Sequence, residues 1–265
     1  MPATVVFIHG AWVTPRCWDL FKGRFEGLGY ECIAPAWPGK DRPVAAIRQD
    51  PSALAGLGIG EIAAHYEQIV RALPEPPILV GHSFGGLIVQ ILLDRGLGVA
   101  GVAIDSAPPK GVWAFEPTAI RSLASVLLTP FAWRRVVRWS FARFRYAFVH
   151  PLSLVEARAA YETQVTPETG RIFWQGAVAL VSPRSPTRVD FANASRAPLL
   201  LVAGGVDRIV PAVINRRNFR AYRHSPARTD FREFPGRSHW IIAQEGFDEV
   251  ATFVAGWLEE VVGTR

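Results

Sequence analysis

The sequence predicts an α/β protein with a mostly parallel central sheet of about six strands. Helices lie on both faces, and a helical cap is inserted late in the sheet. Three observations predict this. Short apolar runs alternate with segments of helical period, the signature of parallel strands joined by helices. The first, third and fifth runs are apolar throughout, as strands covered on both faces require. One stretch, residues 107–196, breaks the alternation and still carries no repeat or low-complexity tract.

The candidate strands are Val5 to Ile8, Glu31 to Ala34, Ile78 to Val80, Val99 to Ile104, Leu199 to Ala203 and Asp230 to Phe234. Between them, Trp18, Phe21, Phe25 and Leu28 form one helical stripe. Ile62, Tyr66, Ile69, Val70 and Leu73 form a second. A third, Val250, Phe253, Val254, Trp257, Leu258 and Val261, follows the i, i+3, i+4, i+7 rule of an amphipathic helix.

The core domain is therefore expected over 1–106 and 197–265, with 107–196 as a cap or lid, because insertions of this size at the carboxyl edge of such sheets shape the ligand crevice. Pro117, Pro130, Pro151, Pro167, Pro183 and Pro186 punctuate it. In it, Trp133, Val136, Val137, Phe141 and Phe144 fall on one helical face, with Arg134, Arg135 and Arg138 largely on the other. These aromatics either close the cap's own core or line a greasy acyl or aryl pocket. On the second reading, Trp113, Phe115, Trp133 and Trp139 are its candidate walls, joined by Trp12 and Trp240 beside the motifs described next.

Composition excludes several classes. With 265 residues the chain can bury a sizeable core, and 49% hydrophobic residues is typical of a globular protein. No apolar run approaches the ~18 residues of a membrane span. The start, MPATVVFIHG, lacks a basic region and a long apolar stretch, so no secretory signal is expected and the cytoplasm is the default location. The net charge of +6 is spread without a run that would suggest nucleic acid. Cys17 and Cys32 make no disulfide framework, and the histidines are not paired at metal-ligand spacing. Neither cofactor nor metal is expected, the partner is a small molecule, and a monomer or homodimer fits equally.

Gly81-His82-Ser83-Phe84-Gly85 fits G-x-S-x-G where a strand hands over to a helix. A serine on that strained turn projects its hydroxyl clear of the backbone, above the free N–H groups and positive dipole end of the helix. A nucleophilic serine needs a base and the base an orienting acid. Of six histidines, His9 and His82 sit in glycine turns, with the His82 side chain expected to point away from the nucleophile. His65 belongs to a helix stripe, His150 to the cap, and His224 to the amino end of a strand. His239, in FPGRSHW, follows the last strand at the same carboxyl edge as Ser83 and is the base candidate. Asp207, in GGVDRIVP, is the acid candidate, and Asp105, closing VAGVAID, is its rival.

GHSFGG, AGGVDRIVP and GRSHW, with HGAW near the start, resemble the α/β-hydrolase superfamily over nearly the whole chain. HGAW directly after the first strand resembles the small plant-esterase and hydroxynitrile-lyase branch and its bacterial relatives. The resemblance implies an oxyanion hole from the N–H groups of Phe84 and Ala11. It sets aside haloalkane dehalogenases and epoxide hydrolases, whose nucleophile is an aspartate. Hydroxynitrile lyases carry a threonine and a lysine where this chain has Gly10 and Trp240. The implied reaction is hydrolysis of a small, largely apolar carboxylic ester or lactone through an acyl-serine. Perhydrolases, carbon–carbon bond hydrolases and acyltransferases share the same three residues, and some small-molecule receptors retain them.

Overall fold

The computed structural model describes residues 3–263. Its strands are Thr4–Ile8 (β1), Glu31–Ile33 (β2), Ile78–His82 (β3), Ala100–Ile104 (β4), Val136–Val137 (β5), Glu168–Thr169 (β6), Leu199–Gly204 (β7) and Thr229–Phe234 (β8). The helices are Asp19–Gly27 (α1), Val44–Gln49 (α2), Ile59–Ala72 (α3), Phe84–Asp94 (α4), Pro117–Leu127 (α5), Phe141–Ala147 (α6), Leu154–Gln164 (α7), Arg171–Ala177 (α8), Ala212–Ala221 (α9) and Phe247–Val262 (α10).

Six strands form one parallel sheet in the order β2-β1-β3-β4-β7-β8. These are the six expected runs, displaced by at most two residues at either end. Every residue of β3, β4 and β7 is buried, so helices cover both faces there. The chain winds outward from β1 in both directions, and the strand order reverses beside β1 and β3. In such open sheets the crevice at that switch point is where ligands bind, at the carboxyl ends of the strands. Ser83, Asp105 and Asp207 all follow strands at that edge.

Between β4 and β7 lie α5, α6, α7, α8 and a two-stranded antiparallel ribbon of β5 and β6. The ribbon corrects the expected helical face from Trp133 to Phe144. The adjacent valines 136 and 137 are stiff at χ1 and pair with Thr169 and Glu168 instead. The helix starts only after Ser140, whose hydroxyl accepts from the Arg143 N–H as an N-cap. Of that stripe only Phe141 and Phe144 are α-helical, and Trp133 falls in a separate 3-10 turn, Ala132–Arg134.

Candidate active site

Ser83 sits between β3 and α4 with φ 58° and ψ −122°, a conformation that non-glycine residues seldom adopt. The turn is possible because a Cβ at Gly81 would strike the Gly85 carbonyl, and one at Gly85 would strike the Ile8 carbonyl. Only glycine fits both places. The two glycines of the motif thus have a steric cause, and they press the head of α4 against the ends of β1 and β3. Phe84 is the first residue of α4, where a backbone N–H has no intrahelical acceptor.

His239 donates from Nδ1 to Asp207 Oδ2 at 2.5 Å, and both side chains are fully buried. This bond sets the tautomer and leaves Nε2 free to accept. His239 Nε2 has no hydrogen-bond partner among the described residues. Asp207 is itself held, its Oδ1 accepting from the Ile209 and Val210 N–H groups at 2.7 and 3.0 Å. His82, next to Ser83, does not point away from the site as expected. Its Nε2 donates to the His239 carbonyl at 2.8 Å, and the two rings lie 4.6 Å apart. The turn that carries Ser83 and the loop after β8 are thereby tied together.

Asp105 stands behind this pair with φ 44°, fully buried, accepting from the Gly204 N–H at 2.6 Å. Its other oxygen has no donor. Burial and then the adjacent Asp207 charge hold its carboxyl well above the usual carboxylate range, which favours its protonated form. His82, Asp105 and His239 offer ligand atoms within 4.8 Å of one another, a grouping that sequence spacing did not foretell. Two of the ring nitrogens in this set are already committed, His239 Nδ1 to Asp207 and His82 Nε2 to the His239 carbonyl. Burial also lowers the His9 and His82 imidazoles well below their ordinary range, with Lys40 adding to it at His9 and His239 at His82. In the His9 ring Nδ1 donates to the Gly10 carbonyl at 2.8 Å, which partly offsets the lowering, and Nε2 accepts from the Trp37 N–H at 3.1 Å.

The loop after β1 is fastened from the far side by the inserted segment. Trp12 has φ 62°; its N–H donates to Glu168 Oε2 at 3.0 Å, and its carbonyl accepts from the Thr166 N–H at 2.8 Å. Glu168 also meets Lys40 Nζ at 2.5 Å, both side chains wholly buried, and Lys40 donates to the Val13 carbonyl at 3.1 Å. Burial lowers the Lys40 ammonium, and the Glu168 charge holds it up. Neither residue belonged to a recognisable motif, since the two lie 128 positions apart. Glu168→Ala strands a buried cation and is expected to cost about 3–5 kcal/mol in denaturant unfolding. Lys40→Met combined with Glu168→Gln, whose amide oxygen can still accept from the Trp12 N–H, should restore most of that loss, and failure to do so would remove charge pairing as the cause.

A cavity of about 130 Å³ opens at Ser83. Its walls are apolar: Trp12, Phe84, Leu87, Val112, Leu123, Phe173, Leu180 and Ile214 among them. Of the six aromatics expected to line it, only Trp12 and Phe115 do so. Trp113 and Trp133 are exposed outside it. Trp139 stacks on Trp12 with ring centres 3.5 Å apart, a support behind the wall. Trp240 packs against Phe144 and Phe148. Sequence position alone could not separate aromatics that face the cavity from those that brace it. Phe173, from α8, was not foreseen.

A family model described as the alpha/beta hydrolase family matches residues 5–253. No curated protein matches the sequence significantly. Among solved structures, the chain is similar to a monoacylglycerol lipase of Paleococcus ferrophilus, with TM-score 0.68 and 21% identity over 100% of this chain and 96% of that one. It is similar to polyneuridine aldehyde esterase, with TM-score 0.67 and 12% identity over 97% and 99%. A pyrethroid hydrolase from Sphingobium faniae gives TM-score 0.68 and 15% identity over 98% of both chains. These identities speak for the fold; the family match spans the elbow, the Asp207 loop and the His239 loop together, and the chain belongs to the alpha/beta hydrolase family.

Proposed function

We propose that the protein is a serine hydrolase that cleaves small, largely apolar carboxylic esters or lactones through an acyl-serine intermediate. One observation carries this reading: a buried His239, anchored through Nδ1 by Asp207 and free at Nε2, is tied through its carbonyl to His82, the chain neighbour of a strained serine that lines an apolar cavity. His239 Nε2 takes the Ser83 proton as Oγ attacks the carbonyl carbon, and Asp207 stabilises the imidazolium that results. His239 then returns the proton to the leaving alcohol. A water, deprotonated by the same nitrogen, releases the acid. The serine-to-histidine hydrogen bond closes as the reacting complex forms, since such bonds are often loose in a free enzyme.

The negative oxygen of the tetrahedral intermediate falls to the N–H groups of Ala11 and Phe84. The neighbouring Trp12 N–H is taken by Glu168, and the Phe84 N–H has no helical acceptor, which supports that pair. The inserted segment serves as the cap, supplying Phe115, Leu123, Phe173 and Leu180 to the cavity and excluding water from the acyl-enzyme. Lipase, esterase and hydrolase neighbours are in keeping with an ester substrate.

The test is a panel of p-nitrophenyl esters of increasing acyl length alongside simple lactones, with a sulfonyl fluoride as inactivator. Turnover of short and medium acyl esters is expected, together with a single covalent adduct on Ser83 by peptide mass spectrometry. An adduct on Ser106 or Ser238, or tight ester binding without turnover, would overturn the reading in favour of another nucleophile or a receptor.

A further inference from the structure

The net charge, although it holds no basic run, is not spread evenly as expected but falls on one segment. Residues 107–196 hold twelve Lys or Arg against five Asp or Glu, which is +7, so the rest of the chain carries −1 of the +6 total. Two of those acids are committed: Glu168 to the buried Lys40, and Glu116 to Arg217 of α9. Arg121, Arg134, Arg135, Arg138 and Arg184 are all exposed.

Apolar exposure is concentrated in the same segment. Among the described residues, eleven of the fourteen exposed large apolar side chains belong to it. Leu128 is 81% exposed, Val181 82% and Phe131 55%. They lie at the end of α5, in the turn after it and just beyond α8, and these elements pack on one another. Phe131 is held at φ 57°, a strained setting for an aromatic residue that leaves its ring in solvent against Trp133. Phe115, Ile120 and Leu180 are exposed and also line the cavity, so the same segment places apolar side chains both on the surface and in the wall of the pocket at Ser83. A soluble monomer rarely leaves such a surface uncovered unless something docks on it.

We propose that this part of the inserted segment seats on an anionic lipid surface, with Leu128, Phe131 and Val181 entering the boundary between headgroups and acyl chains and Arg134 and Arg135 meeting the lipid phosphates. Amphipathic faces that combine aromatic and aliphatic tips with arginines bind membranes in this way. A second copy of this chain is the poorer occupant, because a symmetric contact would oppose two segments of +7. Single-stranded nucleic acid is also poorer, because Leu128, Ile120 and Val181 offer no ring for a base to stack on. Adsorption itself needs no catalysis. Only its consequence, delivery of lipid-dissolved esters to the cavity, rests on the hydrolase reading.

Flotation of the full chain with phosphatidylcholine vesicles, with and without phosphatidylglycerol and at low and high salt, tests the proposal. Binding is expected to the anionic vesicles and to weaken with salt. Leu128→Asp with Val181→Asp should weaken it at least tenfold. Arg134→Glu and Arg135→Glu should each weaken it at least fivefold, the effect of losing one surface arginine. None of these residues lines the cavity, so turnover of a soluble p-nitrophenyl ester stays at the wild-type level and reports correct folding. Ser83→Ala should bind as wild type, which separates a failure of docking from a failure of the hydrolase reading. No binding to anionic vesicles at low salt would overturn the proposal. So would binding that ignores both pairs of substitutions, a dimer that Leu128→Asp disperses, or oligonucleotide binding in place of vesicle binding.

Discussion

Ser83→Ala is expected to lower ester turnover by about 10⁴–10⁶, because nucleophile, base and acid act as a unit. What remains is the contribution of binding and the oxyanion donors. The same substitution should leave thermal unfolding nearly unchanged. Alanine replaces serine at the same strained φ of 58°, the glycines that permit the turn stay in place, and the backbone bonds of Ser83 to Ile104 and Ala107 do not involve the hydroxyl. Steady-state turnover and an unfolding curve on one preparation decide the matter. Retention of a tenth of the activity would take Ser83 out of the reaction.

The second large effect separates the two buried aspartates. Asp207→Asn should reduce turnover by about 10⁴, because an amide permits the imidazole tautomer whose Nε2 carries the proton. Asp105→Asn should keep most of the activity. The Asp105 carboxyl is pushed up well above its usual range by burial and by Asp207, which favours the neutral form that an asparagine imitates. An asparagine there still accepts from the Gly204 N–H, and its NH₂ can donate toward Asp207 as a protonated acid does. Stability should hold or rise near neutral pH for the same reason: a raised folded pKa means the native state binds the extra proton, a cost that grows as pH climbs above the unfolded value. The experiment is kcat for both variants with denaturant unfolding alongside. A dead Asp105→Asn enzyme with an active Asp207→Asn would assign the acid to the strand before the insertion.

Local chemistry made much of this protein legible from its residues. Strands buried on both faces must be apolar throughout, and β1, β3 and β7 were readable for that reason. The elbow was readable because Gly81 and Gly85 each have a backbone carbonyl where a Cβ would stand. The meeting of His239 with Asp207 was readable from their places after strands, since a parallel sheet puts every strand's carboxyl end on one edge. Contacts between distant segments decided the rest. Val136 and Val137 became a ribbon because Glu168 and Thr169 were there to pair with them. Glu168 reached across to Lys40 and the Trp12 N–H, 128 and 156 positions away, a bond that no local pattern encodes. The six candidate aromatics looked alike in sequence, yet packing sent Trp12 and Phe115 to the cavity, Trp139 and Trp240 behind it, and Trp113 and Trp133 to the surface. Periodicity and turn chemistry act over a few residues, so they settle which elements form and which residues end them. Which face meets which, and which buried carboxyl keeps its proton, depends on the low-dielectric neighbourhood that only the assembled fold creates.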